Sequence, residues 1–152
     1  MERDLALDNQ LCFALYSAAR AASGAYRSAL SELGLTYTQF VTMLALWEED
    51  GITVTALGRR LHLDSGTLSP LLKRLADLGY LERRRGVDDE RRVTIHLTDT
   101  GRNLRSQVSG VQRCLHDSLD MTDDEVETLR SLSQRFCEAV ERAAETPPPC
   151  RA

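Results

Sequence analysis

Apolar residues recur along this chain with a helical period almost throughout, and with a period of two once. Leu11, Leu15, Ala18, Ala22 and Ala25 make one stripe of a long first helix, roughly residues 8–33, with Gly34 as its stop signal. Thr36-x-x-Gln39 is a capping box that opens a second helix through Phe40, Met43, Leu44 and Trp47 to Asp50, ended by Gly51. Ile52 adds a short extended residue, and Thr53 caps a short third helix holding Val54, Leu57 and Leu61. His62, Leu63 and Asp64 turn into the stretch 63–78, where Leu68, Leu71, Leu72, Leu75 and Leu78 form one apolar face and Gly79 ends the helix. Pro70 costs that helix one backbone donor in its second turn. The period then changes. Tyr80–Arg85 and Arg92–Leu97 read as strands, with Val93, Ile95 and Leu97 alternating with Thr94 and a solvent-facing His96. The charged turn GVDDE lies between them. Thr98 starts a fifth helix to about 118. Thr122-x-x-Glu125, a second capping box, opens a sixth to about 144, with Val126, Leu129, Leu132, Phe136 and Val140 on one side. The predicted class is mainly α with a small β-hairpin, without an internal repeat.

The polar positions say what the fourth helix is for. Asp64 or Ser65 caps it, Ser65, Thr67 and Ser69 line its front, and Lys73 and Arg74 follow on the outward side. Short hydroxyls at base edges and cations at phosphates are what a helix in a DNA major groove needs. A short helix, a tight turn and this helix make a helix-turn-helix, and a hairpin directly after it makes a wing. The terminal helices are apolar along one side and flank a small module. A symmetric homodimer would bury those sides and set two recognition helices on one DNA face, about one helical turn apart.

Composition adds a local charge argument. The 152-residue chain has a net charge of −4, yet residues 59–92 hold nine Lys/Arg against six Asp/Glu, a window of +3 in a remainder of −7. The N-terminal MERDLALDNQ carries acids and no long apolar run, so neither a signal peptide nor a membrane span is expected there, and PPPCRA ends a frayed tail, residues 145–152. Four cysteines, at 12, 114, 137 and 150, have no C-x-x-C or zinc-type spacing. A cytoplasmic protein with reduced thiols, no metal and no cofactor is expected. The strand–helix alternation of thioredoxin-like thiol enzymes is missing, so no catalytic residue and no enzyme activity are assigned.

NQLCFALY at 9–16, LTYTQF at 35–40, LHLDSGTLSPLLKRL at 61–75, DDERRV at 88–93 and LTDTG at 97–101 together resemble the MarR family of winged-helix repressors, most nearly its organic hydroperoxide resistance regulators. The resemblance spans about residues 8–145. It implies a single MarR-type domain: a winged helix-turn-helix over 36–97, with 8–33 and 98–144 as the helical dimerisation region. It further implies that Cys12 is a redox sensor and that Tyr16, Tyr26 and Tyr37 belong to its pocket. Tyrosine hydroxyls donating to sulfur favour the reactive thiolate, and the nearby helix N-terminus adds positive potential. Phe13, Leu15, Phe40 and Trp47 are expected to make the surround apolar and suited to an alkyl peroxide. Cys12 and Tyr26, fourteen residues apart on one helix, stand about 21 Å apart along its axis, so a contact requires the other subunit. Attack on the peroxide leaves a sulfenic acid. By resemblance it is resolved by a small thiol or by an intersubunit disulfide, for which Cys114 ranks before Cys137 and both before no partner at all.

For DNA, the resemblance sets Asp64, Ser65, Thr67 and Ser69 at the major groove of a palindromic double-stranded operator and Lys73 and Arg74 near phosphates. Arg91 reaches the minor groove from the wing, Asp89 braces the wing through an ion pair, and Arg85 and Arg92 contact the backbone. The expected mechanism is two-state: oxidation rotates the two modules, operator spacing is lost, and a peroxide-detoxification gene is derepressed. A second reading stays open, in which a small phenolic or other ligand releases the repressor and Cys12 is incidental.

Overall fold

The structure, a computed structural model, describes residues 5–86 and 92–145. A 3-10 turn, Leu7–Asn9, leads into α1 (Leu11–Ser31), followed by α2 (Tyr37–Glu48), α3 (Val54–Leu61), α4 (Ser65–Asp77), β1 (Leu81–Arg85), β2 (Val93–Leu97), α5 (Asp99–Ser118) and α6 (Asp123–Glu145). The order is the predicted one, with ends shifted by a few residues. The chain divides into two compact units, Met1–His116 and Asp117–Ala152.

Side chains start most of these helices. Thr36 Oγ1 accepts from Gln39 N–H while Gln39 Oε1 accepts from Thr36 N–H, so two otherwise orphaned donors are satisfied at once. Thr53 accepts from Ala56 N–H at α3, Asp64 from Thr67 N–H at α4, and Thr98 from Gly101 N–H at α5. Thr122 and Glu125 repeat the reciprocal box at α6. His62 ends α3 at φ +52°, a left-handed residue that lets the chain reverse into α4. α4 runs unbroken through Pro70.

The core of the first unit is formed by the helix stripes and the inner face of the hairpin. Leu30, Met43, Leu46, Leu57, Leu72, Leu75 and Ile95 are fully buried, and Leu104 and Val108 bring α5 into the same cluster. β1 and β2 pair antiparallel, Leu81 opposite Leu97 and Arg83 opposite Ile95. Ile52 does more than extend a loop. Gly51 N–H donates to Ile95 O and Ile95 N–H to Ile52 O, both at 2.9 Å, and Thr53 bridges Thr94, so the segment after α2 lies along the free edge of β2.

This edge changes one expectation. His96 is not simply solvent-facing. Its side chain is 24% exposed, its ring shares a 2.9 Å hydrogen bond with Thr94 Oγ1, and Nδ1 lies 4.0 Å from Asp50 Oδ1. Gly51, at φ +81°, backs onto the same ring, and a β-carbon there would stand 3.2 Å from it. Asp50 ties three elements together: Oδ1 accepts from Leu97 N–H at 2.8 Å and Oδ2 from Arg102 at 2.6 Å. Burial pushes the Asp50 carboxyl up, but the N–H groups of Leu97 and Gly51 and the Arg102 guanidinium outweigh it and hold the carboxyl below its ordinary value. Where α5 begins, Gly101 passes so close to Tyr80 that a β-carbon would fall 1.9 Å from its carbonyl oxygen. Trp47 Nε1 donates to Gly101 O at 2.9 Å.

α6, in the second unit, keeps its predicted stripe, but Leu129, Leu132 and Val140 are 49, 52 and 51% exposed. No helix among the described residues is long and apolar enough to cross a membrane.

Candidate nucleic-acid interface and sensor face

On α4 the apolar stripe and the polar front separate cleanly. Leu68, Leu72 and Leu75 are buried, while Asp64, Ser65, Thr67, Ser69, Lys73 and Arg74 are all exposed. The helix is thus anchored along one side and presents the residues expected to meet DNA along the other. Asp64 has a more specific task than the sequence reading assigned. Its carboxylate accepts from Thr67 N–H at 2.9 Å and from Thr67 Oγ1–H at 2.8 Å. These two bonds, side chain first, hold the exposed Asp64 carboxyl below its ordinary value.

The hairpin is joined to this surface. Arg83 Nη2 donates to Ser69 O at 3.2 Å, linking β1 to the middle of α4. Arg83 was not among the sequence-predicted contacts, because its role depends on a strand folding back over α4, which spacing does not reveal. Arg84 pairs with Glu82 on its own strand. Arg85 and Arg92 are exposed where the two strands end. Asp89 and Arg91 lie outside the described residues. Between the hairpin and α3 and α4 is an open cavity of about 530 Å³ whose walls include Thr53, Thr55, Ser69, Arg83 and Arg92.

The sensor residues divide into two groups, one at each end of α1. Cys12 sits exposed in the first turn, beside exposed Leu11 and Phe13. Tyr16, one turn on, is 56% exposed and accepts from Arg20 Nη1 at 3.0 Å. Tyr26 is at the other end, half-buried, 5.0 Å from Tyr37 and 5.6 Å from Phe40 between ring centroids. Burial, then the neighbouring Tyr37, push the Tyr26 phenol above its ordinary value, so it remains a hydroxyl donor at neutral pH. α1 is one unbroken helix from Leu11 to Ser31, so Cys12 and Tyr26 are about 21 Å apart along its axis. Of the residues expected to surround the thiol, Phe13 and Leu15 share its end of α1. Phe40 is 1% exposed in the core, and Trp47 is bonded to Gly101. Cys114 and Cys137 are free and exposed, on α5 and α6. Cys150 lies outside the described residues.

A helix-turn-helix with a hairpin laid against its second helix defines a winged-helix DNA-reading module. The sequence profile of the family described as "Transcriptional regulator SarA/Rot" matches residues 25–108. The HTH-type transcriptional regulator TtmR of Methylorubrum extorquens is 50% identical over 78% of this chain and 61% of its own length. The organic hydroperoxide resistance transcriptional regulator of Bacillus subtilis is 38% identical over 82% of this chain and 85% of its own. Among solved structures, reduced AbfR bound to DNA superposes with a TM-score of 0.79 at 33% identity, covering 91% of this chain and 94% of that one. AbfR has also been solved with a disulfide formed. The chain belongs to the MarR family of winged-helix transcriptional regulators, and it is closely related to the branch that senses organic hydroperoxides.

Proposed function

We propose that this protein is a cytoplasmic homodimeric repressor that holds a palindromic operator when reduced and releases it when an organic hydroperoxide oxidises Cys12. The observation that carries the reading is the division of α1. Cys12 lies exposed beside exposed Leu11 and Phe13 at one end, and a tyrosine pair lies at the other, beyond reach within one chain. A second copy running antiparallel along α1 would bring Tyr26 and Tyr37 of one subunit to Cys12 of the other. Sensing and dimerisation then use one surface.

The chemistry follows. The Cys12 thiolate attacks the terminal peroxide oxygen; an S–O bond forms and the O–O bond breaks, the oxygen and its proton stay on sulfur as sulfenic acid, and the departing alkoxide takes a proton from solvent to leave as the alcohol. A second thiol, Cys114 first and Cys137 next, or a small thiol, condenses with it to a disulfide and water. Either event disturbs the interface that spaces the two α4 helices. On the DNA side, Ser65, Thr67 and Ser69 face base edges. Lys73, Arg74, Arg85 and Arg92 face phosphates, with Arg91 in the minor groove and Asp89 bracing it.

The test is a non-reducing gel with peptide mapping after stoichiometric organic hydroperoxide, beside an operator-binding assay. A Cys12–Cys114 cross-linked dimer that no longer binds DNA is expected. Lost binding with oxidised Cys12 and no cross-link reassigns Cys114 to packing. Binding that survives peroxide overturns the reading. The cavity beside Arg83 and Arg92 favours a second reading, release by a small acidic or phenolic ligand with Cys12 incidental. Under it, Cys12→Ser leaves release intact.

A further inference from the structure

The hydroxyls along the front of α4 are not equivalent. Thr67 Oγ1 lies 2.8 Å from Asp64 Oδ2, and a carboxylate can only accept, so the Thr67 proton is committed to Asp64. The other carboxylate oxygen accepts from Thr67 N–H at 2.9 Å, which fixes the pair at two points. Gly66 leaves room for this arrangement: a β-carbon there would stand 3.0 Å from Asp64 Oδ1. With its proton used, Thr67 presents only lone pairs outward, and so does Asp64. Both are exposed in the first turn of α4. Among the described residues no hydrogen bond fixes the hydroxyl of Ser65 or Ser69, so those two can turn to donate or accept.

In the major groove, cytosine N4 and adenine N6 are donors, while guanine O6 and N7 and thymine O4 are acceptors. A carboxylate and a hydroxyl without a free proton pair with the first set. Against the second set they are desolvated with no partner, and the carboxylate charge adds repulsion. We propose that the Asp64–Thr67 pair is an acceptor-only reader, which selects operator positions where the contacted strand offers an exocyclic amine, cytosine or adenine, to the first turn of α4. The proposal rests on the DNA-binding reading above and sharpens it to a functional group.

The experiment starts with a randomised DNA duplex pool selected on the full-length wild-type, Asp64→Asn, Thr67→Val and Thr67→Ser proteins. Asn caps a helix as well as Asp does, so Asp64→Asn keeps α4 while freeing the Thr67 proton. The position read by the pair is the one whose base preference changes in Thr67→Val. There, wild type is expected to enrich cytosine or adenine on one strand. Asp64→Asn is expected to admit guanine or thymine, with discrimination falling about tenfold. Thr67→Ser is expected to keep the wild-type preference, and other positions are expected to stay as they were. At fixed salt, a duplex with purine in place of that adenine, or 2-pyrimidinone in place of that cytosine, should bind wild type about tenfold more weakly and Thr67→Val no more weakly. An amine that can be removed without loss, or an Asp64→Asn protein with an unchanged preference, overturns the acceptor-only reader while the DNA-binding reading stands. A wild-type protein that enriches no sequence overturns both.

Discussion

Leu72 on α4 and Leu11 on α1 are both helical leucines on a predicted apolar stripe, yet one shows 0% of its surface and the other 60%. Around Leu72, five helices and a hairpin within one unit close over each other, and Asp50, Trp47 and Gly101 lock the closure with bonds between elements far apart in sequence. Among the described residues nothing closes over Leu11. Leu5, Leu7, Phe13 and Tyr16 stay exposed with it, at 89, 58, 39 and 56%. Exposed apolar surface of this extent around the start of α1 is the mark of a surface awaiting a partner. The module seals a core of its own, and in the proposed dimer the first half of α1 meets a second copy. In the proposed mechanism that surface carries Cys12, so oxidation acts where the protein is held together by association rather than by its own core.

The comparison can be broken most severely at Leu72. Leu72→Ala should destabilise the fold by about 2–5 kcal/mol, since a fully buried leucine leaves a cavity that its neighbours only partly fill. Thermal unfolding checks this, and a shift of under a degree would mean that α4 is not anchored as described. Leu11→Asp should leave each subunit folded by circular dichroism but weaken association by roughly a hundredfold, through an unpaired charge in an apolar contact. Sedimentation at several concentrations measures it; an unaltered dimer would place the interface elsewhere. Tyr26→Phe and Tyr37→Phe should slow Cys12 oxidation by roughly tenfold each while operator affinity holds, because each removes a donor to a charged sulfur. If the oxidation rate does not move, the tyrosines are core edges only.

The smallest effect concerns Asp50. Its carboxyl is held below its ordinary value in the folded state, so its contribution to stability is present above the unfolded value, about 3.9, and is lost as pH falls through the folded one. Unfolding midpoints followed from pH 5 downward should therefore drop more steeply for wild type than for Asp50→Asn. Parallel curves would show that the link between α2, β2 and α5 is electrostatically idle. The side chain is 36% exposed, so the difference should be modest.

Much of the fold was legible because its determinants are local. Capping residues three apart, glycine stops at 34, 51 and 79, and the switch to period two at Val93–Leu97 depend only on near neighbours, and each appears where it was expected. His96 was read less well. A two-residue period says which side of a strand a residue takes, but not that Gly51, Asp50 and Thr94 gather on that side. Arg83 shares that difficulty: its role is decided by a contact with Ser69, on another element.

By itself, then, the sequence determined the order of elements, the polar front of α4, and the impossibility of a Cys12–Tyr26 contact within one straight helix, all consequences of fixed rise and period per residue. Tertiary structure alone decided which stripes are sealed and which are left open, and that Asp50 holds β2 to α5. These depend on where separate segments meet and which rotamers they adopt there, and side-chain spacing along the chain does not specify either.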